Sequence, residues 1–258
     1  MFKKTILTTT FAAALAFTSQ QADATIVLVE TNMGDFEINL FDQTTPKTVA
    51  NFLSYVNDGS YNNAVIHRSI KDFVVQTGQR YSGNNTTPLV DIPQRAPVEN
   101  EPKLSNVRGT VAMAKLGGRP NSATNHWYVN VVNNSSHLDR DNGGYTVFGV
   151  VTGTGLSIIE SINNLYVPGG SGPFGQTPLR NYSATDFGNN IAITANNLVV
   201  IEKITVINDS PTTAANLNPT PNTLAGQETD SSSSGGGSMG SALLLALAGL
   251  AFWRRRKV

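Results

Sequence analysis

Two short stretches of alternating apolar and polar residues, Thr25–Glu30 and Asp35–Phe41, flank Thr31-Asn32-Met33-Gly34. Alternation on either side of a Gly-containing turn predicts a β-hairpin. The period then changes. Val49, Phe52, Leu53 and Val56 fall at i, i+3, i+4 and i+7, which predicts a helix with one apolar stripe. Thr44 or Thr45 can cap it, Pro46 suits its first turn and Gly59 its end. Ala64–Ile70 and Phe73–Val75, broken by Lys71-Asp72, predict two strands with a tight connection. Thr110–Lys115, Trp127–Val132, Thr146–Val151 and Asn197–Ile207 are strand-like, and Leu156, Ile158, Ile159 and Ile162 predict a second, short helix. Residues 80–108, Gly117-Gly118-Arg119-Pro120-Asn121 and the Pro/Gly/Asn-rich excursion 168–190 read as loops. Many short strands with two helices favour a closed β-barrel capped by helices over a parallel α/β sheet.

One polar residue stands out against this pattern. Arg68 sits inside an apolar strand, where a buried guanidinium is costly unless paired and hydrogen-bonded. Gln76, eight residues on, can hold it. The segment alone leaves open an Arg on the solvent face of a half-buried strand.

Charge changes the picture little. Of 18 Lys and Arg, two fall in residues 1–24 and four in residues 254–257; of 18 Asp and Glu, one falls in residues 1–24. The middle therefore carries 12 basic and 17 acidic residues, which gives no electrostatic reason to bind nucleic acid. With no Cys, disulfides, zinc thiolates and thiol nucleophiles are excluded. The three His residues fit no zinc-binding spacing, so no metal is expected. Glu99 and Glu101 read as solvated residues of a Pro-rich loop. Gly169–Gly175 lacks the Lys-Ser/Thr of a phosphate loop and reads as a variable loop at the barrel rim.

The ends carry addresses. Lys3-Lys4, the apolar run Ile6–Phe17 and Ala22-Asp23-Ala24 read as a signal peptide over residues 1–24, with the mature chain expected to begin at Thr25. The folded domain is expected over residues 25–208. Residues 209–238, rich in Pro, Thr, Asn, Ser and Gly, read as a flexible linker. Residues 239–258 hold an apolar segment, short for a bilayer, followed by Arg254-Arg255-Arg256-Lys257. A Ser/Gly run before such a segment resembles the glycine-glycine carboxy-terminal sorting signals trimmed by rhomboid-type proteases (rhombosortases) of Gram-negative bacteria; a permanent short anchor is the other reading. Both readings predict an exported protein, in the periplasm or at the cell surface, that meets the membrane through its C-terminal segment.

Four blocks, in order, carry a resemblance to a family. They are Asn51-Phe52 to Tyr61-Asn62-Asn63; His67-Arg68 through Phe73, Gln76 and Gly78; Arg108-Gly109-Thr110-Val111-Ala112-Met113-Ala114; and Tyr145-Thr146-Val147-Phe148-Gly149. Over roughly Ile26 to Val206 the chain resembles a bacterial cyclophilin-type peptidyl-prolyl cis-trans isomerase. The resemblance implies an eight-stranded antiparallel barrel closed by two helices. It also implies that Arg68 is the catalytic Arg, that Gln76 orients it, and that Phe73 and Val74 line a proline pocket. Ala114 and the backbone of Lys115 would hold the residue before proline, and Tyr128, Leu138 and Tyr145 would complete the pocket.

The departures are expected to tune the site. His126 replaces a Gln that bonds substrate backbone, Tyr128 adds a hydroxyl that narrows the pocket or brings in water, and His137 replaces an aromatic residue important for cyclosporin. The resemblance implies action without a cofactor on proline-containing unfolded or flexible polypeptides; a monomer is the default expectation. From a different class, a surface-displayed proline-peptide binding module or holdase with little turnover is the alternative, supported by the altered strand His126-Trp127-Tyr128.

Overall fold

The computed structural model describes residues 25–84, 86–210 and 217–227. In chain order its elements are β1 (Ile26–Thr31), β2 (Phe36–Leu40), α1 (Pro46–Asn57), β3 (Ala64–Ile70), β4 (Val74–Tyr81), β5 (Leu89–Asp91), β6 (Thr110–Met113), β7 (Trp127–Asn130), α2 (Ser135–Leu138), β8 (Val147–Val151), α3 (Gly155–Asn163), α4 (Ala184–Gly188) and β9 (Val200–Asn208). The strands run in the order β3-β9-β1-β2-β8-β6-β7-β4-β5, and β3 also pairs with β4. That last pairing closes eight antiparallel strands into a barrel and leaves β5 as a ninth strand on β4. The expected barrel is borne out.

Alternation along the strands sorts two clusters. Val27, Val29, Ile38, Val75, Val111, Met113, Trp127, Val129 and Phe148 point into the barrel. Their neighbours Val74, Ala112, Tyr128 and Val147 point outward into a second cluster with Phe41, Leu104, Leu138 and Tyr145. Successive strand residues face opposite sides, so each strand serves both clusters at once. Phe52 of α1 meets Trp127 edge-on at 6.0 Å and Phe148 at 5.1 Å, and α3 adds Ile159 and Ile162 to the same core.

The structure corrects several expectations about the elements. β5 lies within the expected loop 80–108, and α2 and α4 are two short helices beyond the two expected. In α1 the stripe includes Tyr55, while Leu53 is only partly buried. Thr45 precedes the helix but does not cap it; its hydroxyl donates back to Phe41 O at 3.3 Å. The cap comes from far away in sequence. The Glu101 carboxylate accepts from Thr48 N at 2.9 Å and from its hydroxyl at 2.8 Å. Glu101 is therefore buried, not solvated. An N-terminal cap of this kind contributes about 0.5–2 kcal/mol. Glu99 does stay exposed and pairs with Lys47.

Two bulges set up the functional face. From Val65 to Ile66 the partner strand advances from Gln79 to Thr77, so Gly78 is extra; from Ile66 to Arg68 it advances by one, so His67 is extra. Residues two apart on a strand share a face, and Ile66 and Arg68 would both have entered the core. The extra residue His67 lets Ile66 stay inside while Arg68 turns to the outer cluster's side.

Residues 217–227 fall within the stretch expected to be linker, yet they lie against the barrel. Ser105 N donates to Thr220 O at 2.8 Å and Asn222 N to Lys103 O at 2.9 Å, with Leu104 and Pro221 bridged between them. Asn222 Nδ2 donates to Asp139 O at 2.8 Å, and Leu217 packs on the outer cluster. The expected signal peptide and the expected sorting or anchor segment lie outside the described residues.

Candidate active site

The outer cluster frames a cavity of about 180 Å³, lined by Arg68, Phe73, Val74, Gln76, Ala114, Tyr128, His137, Leu138, Asp141 and Tyr145. That is small against the roughly 300–1,000 Å³ of drug-sized ligand sites, and suits one small ring with its flanking peptide groups. Val74 and Gln76 come from β4, Tyr128 from β7, Leu138 from α2, and Arg68 from β3. Nine of the eleven residues expected at the site are brought together here; Asp141 was not among those expected.

Arg68 is the one cation embedded in this wall, 7% exposed. Its Nη1 donates to Gln76 Oε1 at 2.9 Å, the partner directly across the strand pair. Its Nε donates to Gln176 Oε1 at 3.0 Å. Its Nη2 is enclosed and makes no hydrogen bond. Burial, the largest influence, pulls Arg68 below its ordinary value, with Tyr128 and Tyr145 acting the other way. A guanidinium remains protonated all the same. The site thus holds a fixed positive charge with one donor group uncommitted.

The aromatic wall is arranged around that charge. Tyr128 and Tyr145 meet edge-on at 6.2 Å. The Tyr128 hydroxyl was expected to narrow the pocket or bring in water; it donates instead to Asn106 Oδ1 at 3.0 Å, and burial pushes it well above its ordinary value. Burial also raises the Tyr145 hydroxyl, to about 12.

Two expected residues stand outside the cavity. The Lys115 ammonium is turned under the wall, donating to Asn142 O at 2.9 Å and Gly144 O at 2.6 Å, 4.6 Å from the centre of the Tyr145 ring. Burial lowers it to about 7. Its side chain is a strut for the loop that carries Tyr145. His126 was expected to replace a substrate-bonding Gln. Its ring packs edge-on against His67 at 5.1 Å, and its Nε2 is 3.2 Å from Asp91 Oδ1. The ring occupies the space left by Gly78, where an added Cβ would lie 2.5 Å from His126 Cδ2.

Sequence reasoning missed Asn106, Asp139 and Gln176. Asn106 and Asp139 are buried hydrogen-bonding partners, and Asp139 accepts from Ser105 Oγ at 2.5 Å and Asn106 N at 2.7 Å. Nothing in their local sequence marks them, since their side-chain partners are 22 or more residues away.

The structure is thus a closed antiparallel barrel with an arginine-anchored apolar pocket on its outer wall, and comparison with known proteins gives its class. Residues 26–184 match the family described as cyclophilin type peptidyl-prolyl cis-trans isomerase/CLD. The chain belongs to that family, and is an enzyme of that class. It is 37% identical over 177 residues to peptidyl-prolyl cis-trans isomerase A of Dickeya dadantii, covering 66% of this chain and 85% of the relative. It is 36% identical over 146 residues to peptidyl-prolyl cis-trans isomerase B of Escherichia coli, covering 54% and 83%. The fold is shared with the crystal structure of a cyclophilin-type isomerase of Cryptosporidium parvum, with a TM-score of 0.52, 23% identity, and 72% of this chain and 98% of that one covered.

Proposed function

We propose that this isomerase accelerates rotation about X-Pro bonds by an Arg68-centred electrostatic mechanism. The observation that carries the reading is the buried guanidinium with its unpartnered Nη2 on the wall of an otherwise largely apolar pocket. The X-Pro bond resists rotation by about 18–20 kcal/mol because amide resonance gives C–N double-bond character. Uncatalysed exchange takes about 10–100 s. In the twisted state the prolyl nitrogen regains its lone pair, and the guanidinium can donate to that nitrogen or to the turning carbonyl once a small side-chain movement uncovers Nη2. The interaction is stronger there than in the planar ground state, so it lowers the barrier rather than merely binding substrate. Phe73, Val74, Tyr128 and Leu138 grip the ring and exclude water. Gln76 fixes the plane of the guanidinium. Proton transfer, a nucleophile and a covalent intermediate play no part.

The clients proposed are proline-containing unfolded or flexible polypeptides outside the cytoplasm, met by a monomer. The order Lys3-Lys4, Ile6–Phe17, Ala22-Asp23-Ala24 supports export, and the apolar segment before Arg254-Arg255-Arg256-Lys257 supports a membrane stop or sorting signal.

The test is isomerisation of a short X-Pro peptide by the full-length chain beside Arg68→Ala and Arg68→Lys. Both variants should lose at least about tenfold in kcat/KM, equivalent to about 1.4 kcal/mol. Undiminished turnover in Arg68→Ala would remove the mechanism. Proline-peptide binding without turnover in the parent chain would favour a binding module.

A further inference from the structure

The Gly-rich segment between α3 and α4 takes no part in the pocket wall, yet it reaches the back of the site. We infer that Gln176 is a second positioning residue for Arg68, so that the guanidinium is held by two carboxamides from opposite parts of the chain. This rests on the reading of Arg68 as the group that acts on the X-Pro bond.

The geometry is specific. Gln76 takes Nη1 from within the strand pair, and Gln176 takes Nε, 108 residues away, at 3.0 Å. Two acceptors on adjacent nitrogens fix both the position of the planar guanidinium and its rotation about the last side-chain bonds. One acceptor would leave that rotation free. With both made, Nη2 is the nitrogen left without a partner.

Gln176 is itself held by its backbone. Ser69 N donates to Gln176 O at 2.7 Å, and Thr177 Oγ1 donates to His67 O at 2.9 Å. These bonds lay the segment along β3 on either side of Arg68. Behind it, Gly169 N donates to Gly175 O at 2.9 Å, and an added Cβ on Gly175 would lie 2.3 Å from Gly170 O. The turn closes only with glycine at 175, which gives this Gly-rich stretch a physical purpose. Gln176 also lines an open hollow of about 430 Å³ with Ser69, Ile70, Lys71 and Asn163.

The test measures kcat and KM of the full-length chain for an X-Pro peptide, together with the Nε–Hε resonance of Arg68. Gln176→Leu should lower kcat about tenfold while KM changes less than about twofold, and should move the resonance. Gln176→Glu, which keeps an acceptor, should recover most of kcat. Ser183→Ala, which removes the cap of α4 in the same excursion without touching Arg68 or Gln176, should lower the melting temperature and leave kcat near the parent value. An unmoved resonance, a parent-like kcat in Gln176→Leu, or an equal kcat loss in Ser183→Ala would each overturn the inference. Should Gln176→Leu not fold, Gln176→Glu decides it, because a carboxylate on Nε must shift the resonance. Arg68→Ala run alongside separates the two readings. If it is inactive and Gln176→Leu is not impaired, only the role of Gln176 falls; if it is active, the mechanism falls and this role with it.

Discussion

Tyr128 and Asn106 are joined by a 3.0 Å hydrogen bond that carries the pocket's one strand-borne hydroxyl away from the cavity. Asn106 is a hub. Its Nδ2 also donates to Asp139 Oδ1 at 3.0 Å and Tyr145 O at 3.1 Å, and its Oδ1 accepts from Asn130 as well as Tyr128. Tyr128→Phe removes one neutral bond and leaves Oδ1 with a partner, for a cost of about 0.5–1.5 kcal/mol. Asn106→Ala strips the Tyr128 hydroxyl and Tyr145 O of this partner and takes one of three bonds from Asp139, which keeps Ser105 Oγ and the backbone N of residue 106, and should cost about 2–4 kcal/mol. Denaturant unfolding of both variants checks the order; equal costs would contradict the hub.

His67 makes the fold acid-sensitive. Burial first, then His126 and Arg68, hold its imidazole well below 6.5, with Asp91 and a hydrogen bond at Val65 opposing. Below that pH the unfolded chain takes up a proton that the folded chain refuses. Its contribution is therefore complete above pH 6.5 and is lost as pH falls, by up to about 1.4 kcal/mol per unit. Asp91, held below 3.8 chiefly by its bond with His126, loses its own contribution only at lower pH. Melting temperatures from pH 5 to 8 should fall more steeply for the parent than for His67→Asn. Parallel curves would show that His67 does not set the slope.

Gly78→Ala should be among the most damaging small substitutions in the barrel. Its φ is 134°, and an added Cβ would meet His126 Cγ and Cδ2 at 2.5 Å and the His126 Cα at 2.9 Å. Strain and overpacking together predict a loss of about 3 kcal/mol or more. Adding His126→Ala should recover only part of it, because the backbone clash remains. Full recovery would place the whole penalty in the imidazole.

The docked segment 217–227 should contribute measurable stability. Asn222→Ala removes the bond to Asp139 O and should lower the melting temperature by about 2–4 °C. A chain ended after Ser210 should lose more, since the pairing around Leu104 and the packing of Leu217 go with it. Identical melting of the shortened and full chains would mean that the contacts add nothing.

The sequence pattern anticipates the parts of the fold that repeat a period. Alternation in Thr25–Glu30 and Asp35–Phe41 marks the first two strands, and the stripe Val49, Phe52, Val56 marks the helix that plugs the core. Arg68 is conspicuous because it breaks its strand's pattern, and its partner Gln76 follows from the register of a hairpin. What stays hidden depends on distance. Glu101 caps α1 across 53 residues, and Gln176 meets Arg68 across 108. The side chain of His126 leaves the cavity because Gly78 opens a space beneath it, and that space exists only once the strands are paired. Residues 217–227 have a linker's composition, and backbone hydrogen bonds to Lys103 and Ser105 bring them to the barrel regardless.

That docking also sets a tether length. For a chain held in a membrane from residue 239, a free linker beginning at residue 209 would let the barrel range up to about 100 Å from the anchor at roughly 3.3–3.6 Å per residue. With Asn222 bonded to Asp139, only residues 228–238 separate the barrel from that anchor, and the limit falls to about 40 Å. The enzyme would then work within a shallow layer over the bilayer, and release of the docked segment would more than double its reach.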